Sequence, residues 1–116
     1  MKSINEFDKI FIHREFVDMR KSINGLSIIV AEGMKLDLKS NSLFIFTNKR
    51  RTHMKILYFD KSGFALWLKR LEGTKFSWPK NVDKDVIEID AKDLKLLLDG
   101  LNIWTRFKEV DFEYVV

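Results

Sequence analysis

The sequence predicts an α+β fold, an antiparallel β-meander of four to five strands with two helices packed on it. Three observations carry that expectation. Two compact apolar runs, residues 42–47 and 54–59, stand one short polar connection apart. Two other stretches, beginning at Asp18 and at Asp90, space their apolar residues three and four apart, as one face of a helix does. Turn signals at Asp60-Lys61-Ser62-Gly63 and Glu72-Gly73-Thr74-Lys75 punctuate the middle of the chain.

Each element follows in order. Residues 10–16 are rich in β-formers and read as the first strand. Asp18 then reads as the N-cap of a helix whose face is Met19, Ile23, Leu26, Val30 and Met34, with Gly33 as its stop. Gly25 inside that helix costs about 1 kcal/mol relative to Ala, so something should pack closely there. Runs 42–47 and 54–59 are apolar on both faces and read as central strands covered from two sides. Residues 64–71 fit two templates. Phe64, Trp67, Leu68 and Leu71 match a helix face, while Phe64, Leu66 and Leu68 match a strand face; the short preceding turn and the aromatic content favour a strand. Residues 86–89 form a short strand. Asp90 caps a second helix with Leu94, Leu97, Leu98 and Leu101 as its buried stripe and Gly100 at its left-handed end.

The bulk properties fit one domain, 1–116, with residues 104–116 as a docking tail. The 116 residues are 46% hydrophobic and 33% charged, neither disordered nor membrane-like in composition. Zero cysteines exclude disulfides and thiolate zinc sites and fit the reducing cytoplasm. No apolar run is long enough to span a membrane. The net charge of +4 is a mild basic excess, compatible with a nucleic-acid partner.

The basic residues fall in three groups. Lys49-Arg50-Arg51 occupies a hairpin tip, with Lys55 beyond it; such a tip can meet phosphates or read guanine. Arg14, Arg20 and Lys21 flank the start of the first helix. Lys69-Arg70, Lys75 and Lys80 interleave with Trp67, Phe76 and Trp78, a pattern that can bind single strands by stacking. The plain alternatives are a solvated turn for the first group, local pairing with Asp18 for the second, and core packing of the aromatics for the third. Catalytic signals are thin: His13 and His53 lie in no metal-binding pattern, and Asp60, Asp83, Asp85 and Asp90 sit at turns or caps where Asp is common.

Several motifs, in order, resemble one family. They are Val17-Asp18-Met19-Arg20-Lys21-Ser22-Ile23-Asn24-Gly25-Leu26; Leu43-Phe44-Ile45-Phe46 followed by Asn48-Lys49-Arg50-Arg51; and Lys55-Ile56-Leu57-Tyr58 leading to Asp60, Gly63-Phe64, Leu68-Lys69-Arg70-Leu71-Glu72 and Phe76-Ser77-Trp78-Pro79. Leu97-Leu98-Asp99-Gly100-Leu101 closes the series. The family is the TnpB accessory protein of the insertion-sequence-sixty-six transposons. The resemblance covers residues 7–103 and implies a role in transposition beside a separate, larger transposase that carries the chemistry. It supplies no catalytic residues, cofactor or metal. The stretch from Glu109 to Val116 is acidic and apolar, where family members often end in a basic segment.

The resulting expectation is a non-catalytic factor that binds transposon-end DNA through Arg20, Lys21, Lys49, Arg50, Arg51, Lys55, Lys69 and Arg70. The alternative is an adaptor that docks on the transposase without touching DNA, motivated by three Trp and ten Phe in so small a domain.

Overall fold

The computed structural model describes residues 3–80 and 82–104. Beyond Trp104, the docking tail expected at 104–116 lies outside the described residues. Five strands form one sheet: β1 Lys9–His13, β2 Ser42–Thr47, β3 His53–Asp60, β4 Gly63–Arg70 and β5 Val86–Ile89, in the spatial order β4-β3-β2-β1-β5. Two helices complete the α+β fold. The first, α1, spans Ile23–Ile28 and continues as a wider π-type coil over Ile29–Met34. The second, α2, spans Ala91–Leu98.

β2 sits at the centre because it is apolar on both faces, and Leu43, Phe44, Ile45 and Phe46 are all fully buried. Period-two alternation sends Leu43 and Ile45 into one core with Met54, Ile56, Leu94 and Leu97. Phe44 and Phe46 enter a second core with Leu57, Leu26, Val30 and Met34. The helices therefore cover opposite faces, α2 on the first and α1 on the second. Burying each such side chain contributes about 1.5–3 kcal/mol.

The antiparallel meander expected from the sequence is β2-β3-β4, and β5 is antiparallel to β1. β1 departs from it and runs parallel to β2, with Phe11 opposite Phe44 and their rings stacked 6.0 Å apart. The reason is the intervening helix. A chain that crosses over a sheet face returns in the direction it left, and α1 is that crossover. Residues 63–70 are a strand, as the short turn indicated.

The helix boundaries differ in detail. Asp18 does not cap α1: its carboxylate accepts from the Arg20 backbone N–H (2.8 Å), and α1 begins at Ile23. Gly33 is not the stop either. Lys35 takes the left-handed conformation (φ 57°), and the Leu36 N–H reaches back to Val30 O at 3.1 Å. Leu26, Val30 and Met34 stay buried in the second core across this change of winding. Close to Gly25 packs the Lys21 stem, 3.4 Å from where a Cβ would stand.

At α2, Asp90 caps the start as expected, accepting from the Asp93 N–H at 2.8 Å. Its end is a Schellman motif: Gly100 (φ 82°) donates to Leu97 O, and Leu101 donates to Leu96 O. Leu101 therefore lies past the helix and is 51% exposed, instead of completing the buried stripe. The carbonyl left over, Leu98 O, accepts from Lys69 Nζ at 2.7 Å.

Replacing Lys69 with Met keeps the stem but leaves Leu98 O without that donor and the helix end without its cation. Unfolding in urea should show a loss of about 1–2 kcal/mol. An unchanged midpoint would mean that water serves the carbonyl equally well.

Candidate nucleic-acid interface

The strand directions bring one set of connections together. β1, β2 and β4 finish, and β3 and β5 begin, at the same end of the sheet. Residues 14–22, 48–52 and 71–85 all meet there. Val17 N–H donates to Thr47 O (2.9 Å), and Arg14 N–H to Asp85 O (2.9 Å). The 71–85 loop runs across the end: Leu71 N–H donates to Thr52 O, Phe76 N–H to Arg51 O, and the Trp78 indole N–H to Arg14 O at 2.9 Å. Together with Arg70, these segments hold ten Lys or Arg against five Asp or Glu, a net +5 beside +4 for the whole chain. The remainder of the protein is thus slightly acidic, and its basic character is concentrated at this end.

The β2–β3 tip is pinned. Asn48 Oδ1 accepts from the Thr52 and His53 N–H groups at 3.0 and 3.1 Å, and its Nδ2 donates to Thr52 Oγ1 at 3.0 Å. Arg51 adopts a left-handed conformation (φ 59°) that turns the chain back. Lys49 and Arg50 project into solvent from this braced turn, and among the described residues neither has an ion-pair partner. Beside the tip lies an open hollow of about 490 Å³, lined by Phe16, Val17, Asp18, Met19, Asn48, Lys49 and Arg50. Phe16 is 48% exposed there.

Arg20 and Lys21 lie at the same end, just before α1. The Arg20 guanidinium is engaged by Asp18, with its Nη2 2.6 Å from Oδ2 and its Nε within 3.1 Å of both oxygens. Hydrogen bonds from the Arg20 side chain and then its backbone hold the Asp18 carboxyl down at about 2, and the guanidinium is raised in turn. A depressed carboxyl adds stability above its ordinary pKa and gives it up as pH falls, here from 3.8 through about 2. The pair stands in water, so it contributes little to the fold. What it does at neutral pH is hold one arginine in a fixed pose with its charge offset.

Three sequence-selected cations are placed differently from the rest. Lys55 Nζ donates inward to Met19 O and Lys21 O, both at 2.7 Å, and ties β3 to the entry of α1. Lys69 caps α2 from the other face. Arg70 is on the basic end but paired with Glu72 at 2.6 Å. Phe76 and Trp78 are core residues, as their plain reading held. Arg14, Lys75, Lys80 and Lys84 join the basic end without having been selected. Arg14 arrives there at the close of β1 and the three lysines along the 71–85 loop, a path that no local pattern announces.

The acidic residues do not gather. Asp90 caps α2 and Asp60 closes β3, both at the opposite end, while Asp85 pairs with Arg14 at 3.0 Å. Among the described residues no three His, Asp or Glu side chains are placed to hold a metal ion. His13 donates through Nδ1–H to Glu15 O at 2.9 Å. No helix of the described residues is long and apolar enough to cross a membrane.

Comparison with known proteins bears on this geometry. The family model described as IS66 Orf2 like protein (TnpB_IS66) matches residues 8–108. Two uncharacterized proteins of Sinorhizobium fredii, y4jC and y4hO, are similar along most of their length. The first is 33% identical over 100 residues, covering 86% of this chain and 84% of its own. The second is 30% identical over 101 residues, covering 87% and 86%. No solved structure matches. The resemblance carried by Val17–Leu26, Leu43–Arg51 and Lys55–Pro79 is therefore one of descent, and the chain belongs to the IS66 Orf2-like family of insertion-sequence proteins.

Proposed function

We propose that this protein is a non-catalytic, cytoplasmic accessory factor of transposition that grips transposon-end DNA with the basic end of its sheet and helps a separate transposase act there. The observation that carries the reading is the pair of solvent-facing cations, Lys49 and Arg50, without an ion-pair partner among the described residues, on a tip whose backbone is pinned by Asn48. A rigid basic turn presents charge to phosphates with little ordering cost on binding. Arg20, Lys21, Arg51 and Arg70 surround it as further contacts, and Arg14, Lys75, Lys80 and Lys84 extend the positive surface. Lys55 and Lys69 leave the contact set, because their ammonium groups serve main-chain carbonyls within the fold.

The adaptor reading drew on an aromatic surplus. Phe76, Trp78 and Trp104 are buried, and among the large apolar residues exposed in the described structure only Phe16 is aromatic. That weakens the case for an aromatic docking face on the described domain.

Two variants test the DNA reading. Replacing both Lys49 and Arg50 with Ala should weaken binding to a transposon-end duplex and flatten the plot of log affinity against log salt by up to about two, near one per phosphate contact. Identical affinity and slope would take the tip out of the interface. Asp18→Asn acts in the opposite sense. It releases Arg20 and removes a negative charge from the same end, so binding should tighten and the salt slope steepen by up to about one. Looser binding would show that Asp18 holds Arg20 in the pose that DNA requires.

A further inference from the structure

The two edges of the sheet are unlike. β5 is four residues long and carries the exposed Glu88 in its middle, a short and charged edge of the kind that discourages pairing. β4 is eight residues long, Gly63–Arg70, and pairs only with β3. Its first six residues, Gly63-Phe64-Ala65-Leu66-Trp67-Leu68, contain no charge, no proline and no bulge in their register with β3. Leu68 is 53% exposed in spite of its apolar side chain.

The main-chain directions follow from one bond. Leu71 N–H donates to Thr52 O, so the odd-numbered residues of β4 turn their N–H and C=O groups toward β3. Phe64, Leu66, Leu68 and Arg70 turn theirs outward, and among the described residues nothing pairs with that row. Their side chains share the α1 face, where Phe64 and Leu66 join the second core. α1 lies over β3 and β4 on that face and carries another exposed aliphatic, Ile28 (58%).

We propose that the β4 edge pairs antiparallel with β4 of a second copy of this chain, about a two-fold axis at Leu66, to make a ten-stranded sheet. The strand is self-complementary in that register. Leu66 faces its own copy across a hydrogen-bonded pair, Phe64 faces Leu68, and Ala65 faces Trp67. Large side chains thus meet small or flexible ones, and the exposed Leu68 is covered by an aromatic ring. Charge selects the same arrangement. Lys69 and Arg70 stand at one end of β4 only. Antiparallel pairing sends the two basic ends to opposite ends of the dimer, whereas a parallel partner would set them side by side. The pairing uses none of the residues assigned to DNA, apart from Arg70 at its margin.

Sedimentation of the full chain across a range of concentrations reads the proposal directly. The expected species is a dimer of two 13.8 kDa chains. Leu68→Lys places a charge where Phe64 of the other copy packs and should weaken the dimer at least tenfold. Its circular dichroism should be unchanged, since the side chain it replaces is already half in water. Leu66→Cys supplies the register. The chain has no other cysteine, and that substitution should yield a disulfide-linked dimer on mild oxidation. Leu68→Cys should not, because its two copies stand about 14 Å apart. A wild-type chain that sediments as a monomer throughout, whether because residues 105–116 or a transposase segment cover the edge instead, overturns the proposal. So does an undiminished dimer in folded Leu68→Lys.

Discussion

Four consecutive residues, Leu43 to Phe46, fill the middle of the sheet with no side chain reaching water. A strand buried on both faces must have a layer above and a layer below, and the described residues supply one helix for each. α1 crosses the Phe44 and Phe46 face, and α2 closes the Leu43 and Ile45 face. The crossover makes β1 parallel to β2, and that direction brings the exit of β1 to the exit of β2. The position of the basic end is thus a consequence of two-sided burial at β2. Arg14 to Lys21 and Lys49 to Arg51 are about thirty residues apart in the chain and meet because of it.

The positive residues then divide by what their hydrogen bonds can reach. Lys55 and Lys69 sit inside strands on opposite faces, and each meets carbonyl oxygens near a helix terminus. A lysine there completes the backbone's own hydrogen bonding and is as structural as a cap. Lys49 and Arg50 sit on a turn, where among the described residues no strand or helix end offers an acceptor. Arg20 lies between these cases. It is in solvent, yet Asp18 orients it, and the ionised carboxylate persists throughout the neutral range.

Much of this was legible in advance, and the parts that were not share a cause. Period two and period 3.6 located the central strands, the α2 stripe and its Asp90 cap, because those signals are local. The parallel pairing of β1 was not legible, since pairing direction depends on where a helix lies relative to a sheet. Nor was the π-type coil at Ile29–Met34, since apolar residues spaced by fours fit an ordinary helix. The interface was half legible. The hairpin tip announced itself, but nothing in the sequence distinguishes Lys55, which turns inward, from Lys49, which turns out. The 71–85 loop is held there by bonds to Thr52, Arg51 and Arg14, the last of them 64 residues from its donor Trp78.

The central claim is that DNA meets the protein at the end of the sheet where Phe16–Lys21, Lys49–Thr52 and the 71–85 loop converge. Backbone amide resonances of isotope-labelled protein, followed while a transposon-end duplex is added, test it residue by residue. The account predicts that shifts concentrate in those three segments, while the β3–β4 turn at Asp60–Gly63 and the start of α2 stay unmoved. Shifts concentrated on α2 or at the opposite end of the sheet, with the Lys49–Arg51 tip silent, would contradict it.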